Sequence, residues 1–337
     1  MRRLLLPAVV ILTLCFPSRT EAQDFSWLLK GAGSVLKSTG ISALYKYAHS
    51  YDTTYYAAKP GIFDVKLMEN MLGSVIHTSG SEYIKKQGFK SHIKSEGVVN
   101  SSINVGLYGI GLSYTFDPFG GEKKDSRFML SLYGNLLGID LLYNNIKTFS
   151  GYSEYNKVRH TIPYGTPSLK LLDINAYMVF NHKHFSYPSG VCQSYIQRKS
   201  SGSVIGGVTY SRNKTSVEDL GFDVPDLKID AKLLAIGAGY GYTFVPARNI
   251  QFSAMLMPKL VIYDSSRVNL LGKKDAWMIF KKPEFTYNLS FAAVKWMHKF
   301  YCALTALAEG YTIGSPLDDF QLFQMQWHIH AHVGINF

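Results

Sequence analysis

Three histidines occupy alternate positions near the end of the chain, at His328, His330 and His332. In a β-strand their imidazoles would lie on one face at intervals of about 7 Å, because each residue adds roughly 3.4 Å. Two such side chains can share a metal ion, whereas a complete site needs ligands from neighbouring strands, with Glu309 as a conceivable fourth. The second interpretation is a hydrogen-bonded polar wall, and it is favoured. We therefore expect no metal site and no cofactor.

The residue pattern gives little evidence for a catalytic site. Serine is frequent and His160 lies in a long polar stretch, yet the sequence contains no Gly-x-Ser-x-Gly elbow. No combination of serine, histidine and aspartate can be assembled into a hydrolytic triad from the spacing. We therefore expect a protein that is not an enzyme.

The elements that position these residues follow from an alternation of apolar and polar side chains. The last segment is apolar at every second position to the chain end, at Phe323, Met325, Trp327, Ile329, Ala331, Val333, Ile335 and Phe337. Side chains of a strand point alternately to opposite faces, so this segment has one apolar and one polar face. A second face in a soluble sandwich would be charged, but here such faces are small or uncharged. The pattern indicates a wall between lipid and an enclosed interior.

Eleven further segments have a similar pattern, which predicts twelve strands in all. The twelve predicted strands, including the last segment, lie near residues 61–76, 88–97, 102–116, 126–134, 138–148, 169–181, 202–212, 229–245, 249–263, 285–296, 299–311 and 322–337. Long and short connections alternate, as they do in bacterial barrels with both chain ends in the periplasm. The predicted fold is an all-β, transmembrane, antiparallel up-and-down β-barrel.

Residues 182–201 are the exception to this alternation. The segment is long, polar and basic, but it must be a periplasmic connection if the strand parity is to hold. Two interpretations are open at this point. The segment is either an excursion along the periplasmic rim or into the lumen, or an additional hairpin, which would give fourteen strands.

Strand parity points a set of polar side chains toward the interior. A charge in a membrane wall must face water or a partner, which favours the inward direction. The lumen-facing candidates are Asp64, Lys66, Asp140, Asp173, Glu309, His328, His330 and His332. They could form a network that packs the barrel against collapse, or a selective pore or small-ligand site. The network is favoured, because twelve strands leave limited space inside.

The start of the chain has the layout of an export signal. Arg2 and Arg3 precede an apolar stretch, and a small-residue site ends at Ala22, which predicts a cleaved signal peptide over 1–22. Residues 23–58 are expected to form a periplasmic segment with a short helix, and residues 59–337 the barrel. The predicted location is the outer membrane of a Gram-negative bacterium.

The chain is basic, with a formal net charge of +11. Loops at 149–168 and 264–284 contain several basic residues that could pair with lipopolysaccharide phosphates, so outer-membrane lipids and lipopolysaccharide are expected partners. Nucleic-acid binding is not expected in an exported chain without a basic helix or an aromatic platform. The terminal phenylalanine resembles the C-terminal signature that the outer-membrane barrel insertion machinery reads. The protein partner is left open.

Four stretches carry a more specific sequence pattern. They are residues 136–147, 177–187, 197–203 and 238–244, and the most distinctive parts read Asn-x-Lys-x-Phe-Ser-Tyr and Gln-Arg-Lys-Ser-x-Gly-Ser. Over roughly Tyr51 to Phe337 the chain resembles a Bacteroidota outer-membrane β-barrel family known only as a domain of unknown function. The resemblance implies an envelope location and no established activity, so it supplies no catalytic residue.

Three functions are therefore considered. The first is a non-enzymatic, porin-like channel or small-solute transporter of the outer membrane. The second is a structural or envelope-assembly barrel with a filled lumen that acts through partner contacts. The least favoured is a lipid-modifying outer-membrane enzyme.

Overall fold

The structure is a computed structural model. It describes residues 47, 50–61, 63–81, 88–95, 98–107, 110–116, 125–155, 157–217, 227–269, 277–279, 285–313 and 320–337. The predicted signal peptide and most of the predicted periplasmic segment, including its helix, lie outside these residues. Within the described residues, no helix is both long enough and apolar enough to cross a membrane.

The described chain consists of β-strands and one short helix. In chain order they are β1 Tyr56–Ala58, β2 Phe63–Ser81, β3 Gly88–Ser95, β4 Val98–Leu107, β5 Ile110–Phe116, β6 Ser126–Tyr133, β7 Leu137–Ile146, β8 Phe149–Tyr155, β9 Val158–Ile162, β10 Ser168–Val179, α1 Tyr187–Val191, β11 Tyr195–Gln197, β12 Ser201–Val217, β13 Leu227–Ala247, β14 Ile250–Asp264, β15 Arg267–Asn269, β16 Trp277–Ile279, β17 Phe285–Met297, β18 Phe300–Ile313 and β19 Phe320–Asn336.

Twelve of these strands form a closed antiparallel barrel. Its order is β2, β4, β5, β6, β7, β10, β12, β13, β14, β17, β18 and β19. Pairing of β19 with β2 closes the barrel, in a register that runs from Phe320 opposite Gly80 to Asn336 opposite Asp64. Closure leaves no unpaired sheet edge in the wall. The predicted all-β barrel with twelve strands is confirmed.

Two predicted strands near the start of the wall are wrong in their bounds. The predicted strand 88–97 is β3, which pairs with the far half of β2 and with β8, and only its continuation β4 joins the barrel wall. The predicted strand 102–116 is two strands, β4 and β5, that pair with each other. The phase of the apolar alternation changes between Leu107 and Leu112, both of which face outward, and this change marks the turn. The two errors compensate, so the count of twelve stands.

The outer surface of the wall is apolar on every strand. Exposed large side chains on the twelve strands in barrel order include Leu67, Ile103, Leu112, Phe128, Tyr143, Ile174, Val208, Ile236, Leu256, Leu289, Leu304 and Val333. An apolar surface that continues around a whole protein far exceeds what a soluble monomer exposes. Outward apolar residues alternating with inward ones are the pattern of a transmembrane barrel, in which the outer face contacts lipid.

The two ends of the barrel differ. The strand pairs β6 and β7, β13 and β14, and β17 and β18 are joined by short connections at 134–136, 248–249 and 298–299. They lie at one end of the barrel, here called the short-turn end, where β4 ends, β5 begins and the chain also enters and leaves the wall. At the opposite, long-loop end, β3, β8 and β9 extend the sheet from β2, while β15 and β16 extend it from β13.

Candidate functional site

The interior of the barrel is the candidate site, and three layers of side chains fill it. The layer nearest the long-loop end is apolar and is called the apolar layer. It consists of Ile76, Ile93, Ile146, Phe149, Ile162, Leu169, Val217, Ile229, Ala231, Leu233, Ala235, Tyr311 and Leu322. Inward positions of the wall supply most of it, and the extension adds Ile93, Phe149 and Ile162. All of these side chains are buried, so this height of the interior resembles the core of a soluble protein.

The middle of the interior is a polar layer, built from charged and amide side chains on facing strands. Its charged members are Arg127, Asp140, Asp173, Lys259 and Glu309, and all five lie on inward positions. Arg127 interacts electrostatically with Glu309 and Asp173, and Lys259 interacts with all three carboxyl groups. Two cations thus neutralise most of the charge of three acids inside the wall, as buried charges require.

Hydrogen bonds tie the histidines of the polar layer to the wall. Arg127 Nη1 donates to His328 Nδ1 at 3.0 Å, and His330 Nδ1 is hydrogen-bonded to Asn70 Oδ1. The two imidazoles stack nearly parallel, with ring centroids 6.1 Å apart. Across the described residues, no group of three or more His, Cys, Asp or Glu side chains is arranged to hold a metal ion.

Lys259 anchors the polar layer on the opposite side. Its ammonium donates to Asn288 Oδ1 at 2.9 Å and to the hydroxyl of Thr209, and its side chain is almost wholly buried. Thr209 in turn donates to Asn175 Oδ1 at 2.5 Å. The bonds join β10, β12, β14 and β17 across the lumen side of the wall, which couples their positions.

The third layer closes the short-turn end and is formed by residues 180–200, here called the insert. The insert leaves the wall after β10, folds into the lumen as α1 and β11, and returns to β12. Its strand β11 pairs with β1, so that Tyr56 lies opposite Gln197. Of the two interpretations open for 182–201, the structure has the inward excursion, and the barrel therefore has twelve strands and not fourteen.

Side chains from several wall strands hold the insert. Gln251 donates through Nε2 to Ser189 O at 2.7 Å and accepts through Oε1 from Gln197 N at 3.1 Å. His332 Nε2 lies 3.0 Å from Gln193 Oε1. The ammonium of Lys66 donates to the carbonyl of Cys192, and Asp64 beside it forms ion pairs with Lys59 and Lys66.

The eight residues singled out from the sequence all face the lumen, but they divide between two layers. Asp140, Asp173, Glu309, His328 and His330 belong to the polar layer, and the other three, Asp64, Lys66 and His332, contact or flank the insert. Sequence reasoning did not single out Arg127 and Lys259. Their strands alternate clearly, with Phe128 and Leu260 outward, so the same parity argument would have found both.

The insert contains a cysteine whose environment argues against nucleophilic chemistry. Burial raises the pKa of the Cys192 thiol, although Lys66 and hydrogen bonds with Ser194 act in the opposite direction. A thiol with a raised pKa carries little thiolate, the form that attacks substrates.

A glycine on the wall makes room for an aromatic contact with the insert. Tyr177 of β10 lies opposite Gly138 of β7, and its ring packs edge-on against Tyr187 of α1, with centroids 4.4 Å apart. A Cβ atom on Gly138 would fall on the ring of Tyr177. The glycine thus lets the ring lie flat across the neighbouring strand, where it supports α1.

Replacing Gly138 by valine should therefore loosen the insert. We expect a loss of about 1–3 kcal/mol in the free energy of unfolding, as for overpacking, together with faster proteolysis within 182–200. Gly206→Val is the matched control, because a Cβ there meets only Phe180 at an ordinary 3.5 Å. Equal effects of the two substitutions on stability and proteolysis would show that Tyr177 does not depend on Gly138.

The empty space between the layers is small. A cavity of about 90 Å³ separates the insert from the polar layer, and its lining includes Lys66, Asn70, Ser102, Arg127, Gln193 and His330. A second cavity of about 40 Å³ lies beside Asp173, Glu309 and Gln326. Polar cavities of this size hold a few water molecules.

Comparison with solved structures finds outer-membrane barrels. The outer membrane protease OmpT from Escherichia coli is 8% identical, with a TM-score of 0.42, over 83% of this chain and 98% of that one. An outer membrane channel from Pseudomonas putida F1 is 10% identical, with a TM-score of 0.36, over 84% and 98%. The translocator domain of the autotransporter NalP from Neisseria meningitidis is 11% identical, with a TM-score of 0.31, over 94% and 98%. Likenesses at this level carry no information about activity.

No curated protein matches the sequence. A family model does match, and it covers most of the chain and every strand of the barrel wall. It spans residues 50–337 and is described as Domain of unknown function (DUF4421), so the protein belongs to this family.

Proposed function

We propose that the protein is a non-enzymatic barrel of the Gram-negative outer membrane whose lumen is permanently filled, and that it acts as an envelope scaffold through its two ends. The observation that carries the proposal is the burial of most inward side chains along the wall, with His330 partly exposed where it lines the 90 Å³ cavity. Along β19, the exposed fractions are Leu322 0%, Gln324 2%, Gln326 2%, His328 3%, His332 6% and Asn336 1%.

A water-filled pore would leave such inward residues accessible, because the lumen of an open barrel is an aqueous channel. Here most inward residues of the wall are buried, as members of the apolar or polar layer or in contact with the insert. The apolar layer is the strongest part of this argument, because an ion or a polar solute would have to cross a buried hydrocarbon core. The filled interior therefore favours the scaffold over the porin-like channel.

Export and assembly complete the proposal. The signal-like first 22 residues would direct the chain to the periplasm, and the barrel insertion machinery would place it in the outer membrane. Phe337 is 59% exposed at the end of β19, where such machinery could reach it.

Electrical recording from planar bilayers tests the closed lumen. Purified full-length protein that shows heat-modifiable migration should insert without producing stable conductance steps, and liposomes containing it should not swell in sugar solutions. An open porin purified and reconstituted in the same way serves as the positive control. Reproducible conductance steps from the folded protein would refute a permanently filled lumen.

A gated conduit is the second candidate function, and it is favoured by the way the insert is attached. The insert is a separate segment held partly by polar side-chain contacts, and the 90 Å³ cavity lies directly beside it. A variant in which a short glycine-serine turn replaces residues 184–198 separates the two candidates. The scaffold predicts that this variant stays silent because two layers remain, whereas a gate formed by the insert predicts conductance.

A further inference from the structure

A group of cations lies on the outer face of the wall near the long-loop end. The group consists of Lys170 on β10, Arg212 and Lys214 on β12, Lys232 on β13 and Arg267 on β15, and it is called the rim site. The wall residues share the outward parity of Ile174, Val208 and Ile236, which are exposed on the same three strands.

The register brings like charges together in the rim site. Lys170 lies directly opposite Lys214, and Arg212 lies directly opposite Lys232. Residues directly opposite in an antiparallel pair have Cβ atoms about 5 Å apart, and like charges in such pairs are destabilising. Two such pairs on three adjacent strands are unfavourable unless enough negative charge lies among them to neutralise the four cations.

The acidic side chain Asp230 lies among these cations, directly opposite Lys214 on β12 and Arg267 on β15. Asp230 Oδ1 lies 3.8 Å from Arg212 Nε, and Asp230 Oδ2 lies 3.7 Å from Arg267 Nη2. The carboxylate is therefore shared by the two arginines. The four wall cations Lys170, Arg212, Lys214 and Lys232 outnumber this single carboxylate, and Lys170 and Lys214 lie opposite each other on the exposed side of the strands.

The position of the rim site along the strands indicates which kind of anion would bind there. Leu172, Tyr210 and Leu234 lie two residues from the cations on the same outer faces, and the exposed apolar surface follows. Two residues advance a strand by about 7 Å, so the cations lie where the lipid-facing surface ends. In a lipid leaflet this is the level of the headgroups, whose anions are phosphates.

We propose that the rim site binds the phosphate groups of lipid headgroups in the leaflet at the long-loop end. Arginine offers paired N–H donors to phosphate oxygens, and lysine adds a compact charge. A phosphorylated lipid also lays its acyl chains along the apolar face below the cations, which a free phosphate ion cannot do. This proposal does not depend on whether the lumen is closed.

The probe for a binding test is lipid A with two phosphates, added to the full-length protein in non-ionic detergent and followed by native mass spectrometry. Lys170→Gln with Lys214→Gln should weaken binding about tenfold or more, because two charge-assisted contacts are lost. The matched control is Lys295→Gln with Lys299→Gln, which removes the same charges from exposed positions near the short-turn end and should change binding less than about twofold.

Two further ligands distinguish a lipid phosphate from a free phosphate ion. Lipid A stripped of phosphate should bind the wild-type protein about as weakly as the phosphorylated lipid binds the rim variant. Inorganic phosphate should not displace the lipid at equal concentration. Displacement at equal concentration would instead identify free phosphate as the ligand. An equal loss of lipid affinity in the rim and control variants would show that binding depends only on nonspecific charge. Either result overturns the proposal.

Stability without lipid gives an independent measurement. The rim variant relieves the repulsion between Lys170 and Lys214 and also removes the attraction of Lys214 to Asp230, so its thermal midpoint in non-ionic detergent should remain close to that of the wild-type protein. Added phosphorylated lipid should raise the wild-type midpoint more than that of the variant, since a ligand stabilises the state to which it binds. A rim variant that gains the same stability from the lipid would show that these lysines do not bind it.

Discussion

Replacing Arg127 by methionine is expected to lower the free energy of unfolding by about 3–5 kcal/mol, the usual cost of leaving a buried charge without its partner. Arg127 is 7% exposed and interacts electrostatically with Glu309 and Asp173. Without the guanidinium, Lys259 alone faces three carboxyl groups. His328 also loses the hydrogen bond from Arg127 Nη1.

A double-mutant cycle identifies the electrostatic part of this loss. Urea unfolding in detergent micelles would be measured for Arg127→Met, Glu309→Gln and the combined variant. If the two charges act on each other, the combined variant should recover at least about 1.5 kcal/mol relative to the sum of the single losses, within the range of coupled neighbours. Losses that add to within about 0.5 kcal/mol would mean that Arg127 supports the barrel by packing alone.

The wall of the barrel could be predicted because its physical pattern is local. Each strand must present apolar side chains to lipid at every second position, as Phe323 to Phe337 do, and this period is visible without knowing any neighbour. The same parity pointed Asp64, Asp140 and His330 inward. The split of 102–116 was missed because a tight turn changes the phase of the alternation without interrupting its composition.

The layers inside the barrel could not be predicted in the same way, because they depend on which inward residues meet across the lumen. The sequence indicated inward faces of small or uncharged residues with a few charged side chains among them. On β13, however, Ile229 and Leu233 face inward while Leu234 and Ile236 face outward, so both faces are apolar near the long-loop end. A strand that is apolar on both faces signals burial on both faces. The apolar residues on both faces of β13 could therefore have predicted the apolar layer. The path of the insert could not be predicted, because it depends on contacts between residues far apart in the sequence, such as the hydrogen bond from Gln251 to Ser189.

Truncation of Phe149 tests the packing of the apolar layer. Its side chain is fully buried at the start of β8, in the layer that also includes Leu169 and Ile93. Phe149→Ala should lower the free energy of unfolding by about 3–5 kcal/mol, because it removes a buried ring and leaves a cavity that the rigid wall cannot close. Urea unfolding followed by tryptophan fluorescence in detergent micelles measures the change, with the denaturant slope expected to stay constant.

The matched control is Phe291→Ala on the lipid-facing side of β17, where the ring is 43% exposed. Mobile detergent or lipid chains fill the space that this truncation leaves. The free energy of unfolding should therefore fall only by the transfer free energy of the removed ring atoms, about 1.5–3 kcal/mol at most. If the interior is filled, Phe149→Ala must lower the free energy of unfolding more than Phe291→Ala does. If Phe149→Ala cost no more than Phe291→Ala, water would already reach this height of the lumen, and the hydrocarbon barrier on which the closed barrel depends would be absent.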